Sequence, residues 1–174
     1  MDRLAELVAR AEIQDQLMRY ARGVDRKDWD AVRATYHADA HDEHGEFSGS
    51  VDEFIEWVEK RHRTIPFSMH LLLNCLVEFK DEDTAFVETY FIAMRRAPGP
   101  AANGSANAPE VDAEVIGRYL DRFERREGTW KVARRCVVYD SSRMVPSSHR
   151  PRTAKGLLGV RGRQDPVFNW FAKS

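Results

Sequence analysis

The sequence predicts an α+β domain in which helices precede a curved antiparallel sheet. Helical patterns occupy the early part of its 174 residues, and strand patterns then follow almost without interruption to about residue 139. Helices that are grouped before strands are typical of α+β folds rather than of alternating α/β folds. A curved sheet that wraps around a helix forms a cone, and the open mouth of a cone is a pocket.

Composition narrows the class of protein. With 27 Lys and Arg against 28 Asp and Glu, the formal net charge is −1, which argues against binding nucleic acid or membranes through bulk charge. Cys75 and Cys136 lie far apart in apolar runs, which indicates free thiols in a reducing compartment. The sequence has no apolar signal core and no apolar run of membrane-spanning length. We therefore expect a soluble, cytoplasmic protein of one domain.

Residues 3–24 are predicted to form the first helix. Spacings of three and four residues create one apolar stripe, made of Ile13, Leu17, Tyr20, Ala21 and Val24. Asp25 falls at the edge of that stripe, one turn beyond Ala21. Because Gly23 weakens the helix at this point, we expect the helix to end here and to aim the Asp25 carboxylate inward.

A second, short helix is predicted to begin after Asp28, a suitable N-cap, and to end near Tyr36. Residues 37–46 carry several histidines and acids, and a strand there would place Asp42 and His44 on the same face.

A third helix is predicted from the capping-box pattern that begins at Ser50 and includes Glu53 three residues later. It should end before Pro66, and its His62 is expected on the surface.

Four long strands are predicted in the remainder of the domain. Their bounds are Leu71–Phe79, Thr84–Arg96, Glu114–Arg125 and Thr129–Tyr139. Residues 97–111 are rich in Ala, Pro, Gly, Asn and Ser and are expected to be a flexible loop inside this domain. The strand pattern is lost from Ser141 onward. We therefore expect a domain over residues 1–140 and a C-terminal extension over 141–174 that packs on the same domain or on a neighbouring subunit.

His70 is the polar residue around which the functional hypothesis is built. It lies near the start of an apolar strand, where an unpaired polar group costs roughly 1–3 kcal/mol, so it needs a buried partner. Asp25, at the inward-facing end of the first helix, is our candidate partner. We expect the two to form an acid–base pair in a cavity, in which the carboxylate fixes the imidazole tautomer and favours its protonated form.

Several segments together resemble a known family. They are Tyr20-Ala21-Arg22-Gly23-Val24-Asp25, Tyr36-His37-Ala38-Asp39-Ala40, Met69-His70-Leu71-Leu72-Leu73-Asn74 and Gly128-Thr129-Trp130-Lys131-Val132. The chain resembles the SnoaL-like branch of the nuclear-transport-factor-2-like superfamily over roughly residues 5–140. That superfamily includes scytalone dehydratase, bile acid 7α-dehydratase and hexachlorocyclohexane dehydrochlorinase, and its cone-shaped fold hosts enzymes and non-enzymes alike.

The resemblance implies roles for particular residues. The His–Asp dyad of the dehydratase and dehydrochlorinase members corresponds to His70 and Asp25. A tyrosine five residues before the aspartate corresponds to Tyr20, and an arginine of the last long strand corresponds best to Arg135, with Arg134 left open. The dehydrochlorinase has a lysine near the position of Tyr20, so loss of a halide is less favoured for this chain.

Two further residues are expected in the pocket. His44 is expected to orient a substrate oxygen. Tyr90 on the middle strand is a candidate for the cavity lining, although packing is the simpler account of it. His37, His41 and His44 do not have the spacing of a metal site, so we predict no metal and no cofactor.

These observations predict a cofactor-independent lyase or isomerase that acts on a small apolar or aromatic molecule. Dehydration is the first expectation, a retro-aldol-type release of an aldehyde the second, and isomerisation or cyclisation the third. The alternative is a non-catalytic ligand-binding module or the small subunit of a ring-hydroxylating dioxygenase. The resemblance also implies a homo-oligomer, with a trimer favoured and a dimer possible, and no nucleic-acid or membrane partner.

Overall fold

Helices and strands follow one another in the predicted order. The computed structural model describes residues 2–99, 109–147 and 158–169. The helices are α1 (Arg3–Arg26), α2 (Trp29–Ala34) and α3 (Val51–His62), with a 3-10 turn at Pro166–Phe168. The strands are β1 (Tyr36–His44), β2 (Phe47–Ser50), β3 (Phe67–Phe79), β4 (Thr84–Pro98), β5 (Glu110–Arg126) and β6 (Thr129–Pro146).

In the described ranges, the six strands form one curved sheet in the order β2-β1-β6-β5-β4-β3. The β1–β6 pair is parallel and every other pair is antiparallel. The sheet stays open and its concave face covers α1, so the predicted α+β cone is confirmed. No helix among the described residues is long and apolar enough to cross a membrane.

The end of α1 is fixed by its local sequence. Lys27 adopts a left-handed conformation with φ of 53°, and its N–H is directed at the carbonyls of the preceding turn, which stops the helix. Gly23 allows α2 to pack closely, because a Cβ at this position would lie 2.7 Å from Cγ2 of Val32. Asp25 therefore belongs to the last helical turn, and it faces the sheet.

The third helix begins as the sequence predicts. The Ser50 side chain accepts from the Glu53 N–H, and the Glu53 carboxylate accepts from the Ser50 N–H at 2.8 Å. Both bonds of the capping box are therefore present. The apolar side of α3 packs into the core that α1 and the concave face of the sheet enclose.

The sequence misjudged several strand ends. β6 continues past Ser141 to Pro146 because it pairs along its whole length with β5, which itself begins at Glu110. β4 and β5 thus extend into the predicted loop 97–111, whose residues 100–108 lie outside the described ranges. Tyr36 starts β1 instead of ending α2, and the short hairpin strand β2 was not anticipated.

Candidate active site

Asp25 and His70 lie in contact between the last turn of α1 and the start of β3. The Nδ1 atom of His70 is 2.7 Å from Oδ1 of Asp25. The backbone N–H of His70 donates to Oδ2 of Asp25 at 2.8 Å, and the Ser68 hydroxyl donates to Oδ1 at 3.2 Å. Because these donors come from one strand, β3 fixes both the position and the orientation of the carboxylate.

Hydrogen bonds keep the Asp25 carboxylate ionised. Burial alone would raise the pKa of Asp25, but the His70 ring, its charge, its backbone N–H and the Ser68 hydroxyl together lower that pKa below its ordinary value. An ionised carboxylate can only accept a hydrogen bond, so its partner, Nδ1 of His70, carries the hydrogen. The Nε2 atom of His70 is then the nitrogen available for proton transfer.

His70 borders a pocket between the helices and the concave face of the sheet. The cavity has a volume of about 270 Å³. Its lining mixes apolar and aromatic side chains with several polar ones: Tyr20, Val24, His44, Gly45, Glu46, Trp57, Val58, Arg61, His62, Ser68, His70, Phe91, Ala93, Met94, Arg95, Val115, Tyr119 and Tyr139. Such a mixture is typical of small-molecule sites, where polar groups fix the orientation of a largely apolar ligand.

Tyr20 and His44 both line this pocket, as the sequence predicts. Burial raises the pKa of Tyr20 even though the Arg135 charge opposes this, so the Tyr20 hydroxyl stays protonated and is able to donate a hydrogen bond. His44 lies over the Phe54 ring at 5.3 Å between centroids, and its Nδ1 is 3.4 Å from Oδ1 of the buried Asp42.

Arg135 does not line the pocket, so its predicted contact with substrate is wrong. It is fully buried behind the wall, where Nε and Nη2 each donate to an Asp121 oxygen at 2.7 Å. Its guanidinium lies between the rings of Tyr20 and Tyr119, 4.1 and 4.2 Å from their centroids. Arg134 points to the outer surface and pairs with Glu43.

Tyr90 also lies outside the pocket, which corrects its predicted place in the lining. Successive residues of a strand face opposite sides of the sheet, and on β4 the inward-facing neighbour is Phe91. Tyr90 is therefore exposed on the outer face, where Arg118 lies 6.0 Å from its ring centroid.

His62 is a pocket residue that the sequence analysis missed. It is buried, 7% exposed, at the end of α3, which overturns its predicted surface position. Nη2 of Arg161 lies 3.0 Å from Nδ1 of His62. Since a guanidinium can only donate, Nδ1 must accept, and the hydrogen of the neutral ring must be on Nε2. Burial, and next the Arg161 charge, lower the pKa of His62 to about 3.

The same arginine ties the C-terminal segment to the helix that carries Asp25. Nη2 of Arg161 donates to the Val24 carbonyl at 2.5 Å, and Nε donates to the Asp25 carbonyl at 3.1 Å. These carbonyls belong to the last turn of α1, where the regular pattern of helical hydrogen bonds ends. Arg161 thus caps α1 directly behind the Asp25–His70 pair.

Comparisons with known proteins agree with this fold. The sequence model of a family described as "SnoaL-like domain" matches residues 5–136. No curated protein matches the chain in sequence. Among the described residues, no three His, Cys, Asp or Glu side chains are grouped as a metal site would require.

Three solved structures illustrate the similarity. A protein of Novosphingobium aromaticivorans, provisionally assigned as a scytalone dehydratase, is 17% identical over 92% of this chain and 96% of that chain, with a TM-score of 0.68. A type 2 hexachlorocyclohexane dehydrochlorinase is 18% identical over 88% and 100%, with a TM-score of 0.73. A second N. aromaticivorans protein, provisionally assigned as an aromatic ring hydroxylase, is 25% identical over 79% and 92%, with a TM-score of 0.64. The first two establish a shared fold alone.

Proposed function

The chain belongs to the SnoaL-like family, and we propose that it is a cofactor-independent lyase or isomerase with His70 as its general acid and base. The observation that carries this proposal is the contact of 2.7 Å between His70 and Asp25 at the edge of a cavity that His70 lines. The pocket lining combines apolar and aromatic side chains with polar ones, so we expect a small substrate with an apolar or aromatic part.

In a dehydration, Nε2 of His70 would remove a proton from a carbon next to an electron-withdrawing group. The electron pair of the broken C–H bond forms a new C=C bond as the neighbouring C–O bond breaks. The departing oxygen takes the proton from the imidazolium, with the Tyr20 hydroxyl as a hydrogen-bond donor to it, and leaves as water. Asp25 stabilises the positive charge that appears on His70 during the transfer.

The same groups serve the two other reactions. In a retro-aldol cleavage His70 takes a hydroxyl proton, and the O–H electron pair forms the C=O bond of the released aldehyde. The electron pair of the broken C–C bond forms an enolate, which takes the proton back from the imidazolium. In an isomerisation His70 returns the proton to a different atom of the same molecule. Positioned general acid–base catalysis contributes roughly 10²–10⁴-fold to such rates, which sets the loss expected when His70 is removed.

To test this, the protein is incubated with a panel of aromatic β-hydroxy carbonyl compounds. Formation of the conjugated product is measured by its absorbance. We expect the wild type to form product, and His70→Ala to lower kcat by about 10²–10⁴-fold. Asp25→Asn should also lower kcat, because an amide no longer stabilises the imidazolium. His41→Ala is the matched control, since His41 contacts Ser48 away from the pocket.

Two results would contradict the proposal. One is turnover that survives His70→Ala unchanged, which would remove His70 from the chemistry. The other is a wild type that binds members of the panel and never converts them, which would favour a ligand-binding module instead.

A further inference from the structure

Two arginines lie on the pocket lining, apart from the proposed catalytic pair. Arg61 is in the last turn of α3, with its guanidinium 5.2 Å from the centroid of Trp57. Arg95 is on β4 and is partly buried. Among the lining residues that the structure describes, the only carboxylate is that of the exposed Glu46. Two guanidiniums and one exposed carboxylate therefore leave this part of the pocket positively charged.

Arg95 differs from neighbouring arginines, because no carboxylate of the described residues is its partner. Arg96, the next residue on β4, donates to both oxygens of Asp112, at 2.8 and 3.0 Å. Arg118 on β5 pairs with Glu88 at 2.8 Å on the outer face. Of the residues that the structure describes, no Asp or Glu lies within 4.0 Å of Arg95 or Arg61. Burial of Arg95, and next the Arg61 charge, lower the pKa of Arg95, which means that the surroundings disfavour its charged form.

The sheet register places this charge beside His70. Arg95 pairs with Ser68 across the β3–β4 ladder, and His70 pairs with Ala93. His70 and Arg95 are therefore diagonal neighbours, with Cα atoms roughly 7–8 Å apart, and both line the pocket. A small molecule with one end at Nε2 of His70 would therefore have its other end within reach of the Arg95 guanidinium.

We propose that the pocket takes an aromatic substrate that carries a carboxylate, and that Arg95, assisted by Arg61, binds this carboxylate while the reacting carbon lies at His70. The inference rests on the proposed function for the identity of the reacting end. The anion site itself rests on two guanidiniums, neither of which has an Asp or Glu partner within ranges 2–99, 109–147 and 158–169. A planar guanidinium binds a carboxylate through two parallel N–H···O bonds, so it fixes the orientation of the ring as well as its affinity. The inference narrows the substrate from a small apolar molecule to an aromatic acid.

The test compares the binding of 2-naphthoate and of 2-naphthamide, which differ in charge but hardly in shape. Isothermal titration and quenching of Trp57, which lines the pocket, report affinity without any need for turnover. A charge-assisted pair predicts that the wild type binds the acid about tenfold to a hundredfold more tightly than the amide. The preference should persist in large part in 0.5 M salt, because salt screens a partly buried ionic contact much less than an exposed one.

Matched variants locate the contact. Arg95→Gln should abolish the preference for the acid, and Arg95→Lys should retain part of it. Arg61→Gln should reduce it by a smaller factor. Arg19→Gln is the control, since Arg19 is an exposed arginine of α1 that pairs with Asp15. We expect it to leave both affinities unchanged.

Equal affinity of the wild type for acid and amide, or no measurable binding of the acid, would overturn the inference without any variant. A preference that persists in Arg95→Gln would overturn the assignment to Arg95. His70→Ala separates this inference from the proposed function. Suppose that the wild type and His70→Ala both bind the acid tightly, and that the wild type does not turn over aromatic hydroxy acids. This result would refute the catalytic role of His70 and leave the anion site supported.

Discussion

Acidification should destabilise this protein through the buried His62. Arg161 donates to Nδ1 of His62 and excludes a proton from that nitrogen, and the burial of the ring removes the water that would stabilise a charge. His62→Asn provides the comparison, because the asparagine side-chain oxygen can accept from Arg161 but does not titrate. The variant will be less well packed at every pH, so the informative quantity is the change in stability between two pH values.

The size of that change follows from the two pKa values of His62. In the unfolded chain the pKa of a histidine is about 6.5, whereas burial lowers the pKa of His62 to about 3 in the folded protein. As the pH falls below 6.5, His62 binds a proton in the unfolded chain but stays neutral in the folded protein, so the free energy of unfolding decreases. Between pH 7 and pH 5 the loss attributable to His62 is about 2 kcal/mol. Any folded-state pKa below about 4 gives the same result, because His62 is then still neutral at pH 5.

The assay is urea unfolding followed by tryptophan fluorescence at pH 7 and pH 5. The wild type should lose about 2 kcal/mol more than His62→Asn over this interval, because the other titrating groups are common to both proteins. An NMR titration would show directly that the Nε2–H tautomer of His62 persists to pH 5. Identical pH dependences in the two proteins, or a His62 signal that titrates near pH 6.5, would refute the reasoning.

Two further predictions concern residues outside the pocket. Arg135→Met should lower the free energy of unfolding by about 3–5 kcal/mol in a urea titration, because it leaves Asp121 buried and unpaired. Arg134→Met, on the exposed neighbour, should change it by less than about 1 kcal/mol, and equal effects would contradict the assignment of Arg135 to the core. Phe86→Glu should reduce the molar mass measured by light scattering if the expected homo-oligomer forms through the outer sheet face, where Phe86 is half exposed. An unchanged mass would exclude that face.

Residues whose role depends on their neighbours in the sequence could be predicted from the sequence. The capping box at Ser50 depends on four consecutive positions, and the inward-facing end of α1 depends on a periodic stripe and a glycine. The contact of Asp25 with His70 is long-range: residue type and spacing made each a candidate and the family resemblance paired them, but only the fold shows that they touch. For the capping box and the end of α1, the residue type and its spacing contain the whole constraint.

Residues whose role depends on a distant partner could not be predicted in this way. His62 continues the apolar spacing of Phe54 and Val58 along α3, and this signal was available but was outweighed by its polar type. Its tautomer, however, is set by Arg161, 99 positions further along the chain. Nothing in the local sequence near either residue indicates that contact.

The two arginines of the pocket region show why residue type alone does not reveal function. Arg135 and Arg95 both lie on strands of the curved sheet, and the family resemblance favoured Arg135 as the contact with substrate. Yet Arg135 donates to both oxygens of Asp121 and lies between two aromatic rings, so its charge is neutralised within the core. Arg95 borders the cavity, and no carboxylate in the described part of the chain lies within 4.0 Å of it. The partner of each arginine, which only the fold reveals, decides that one stabilises the wall and the other is available to a ligand.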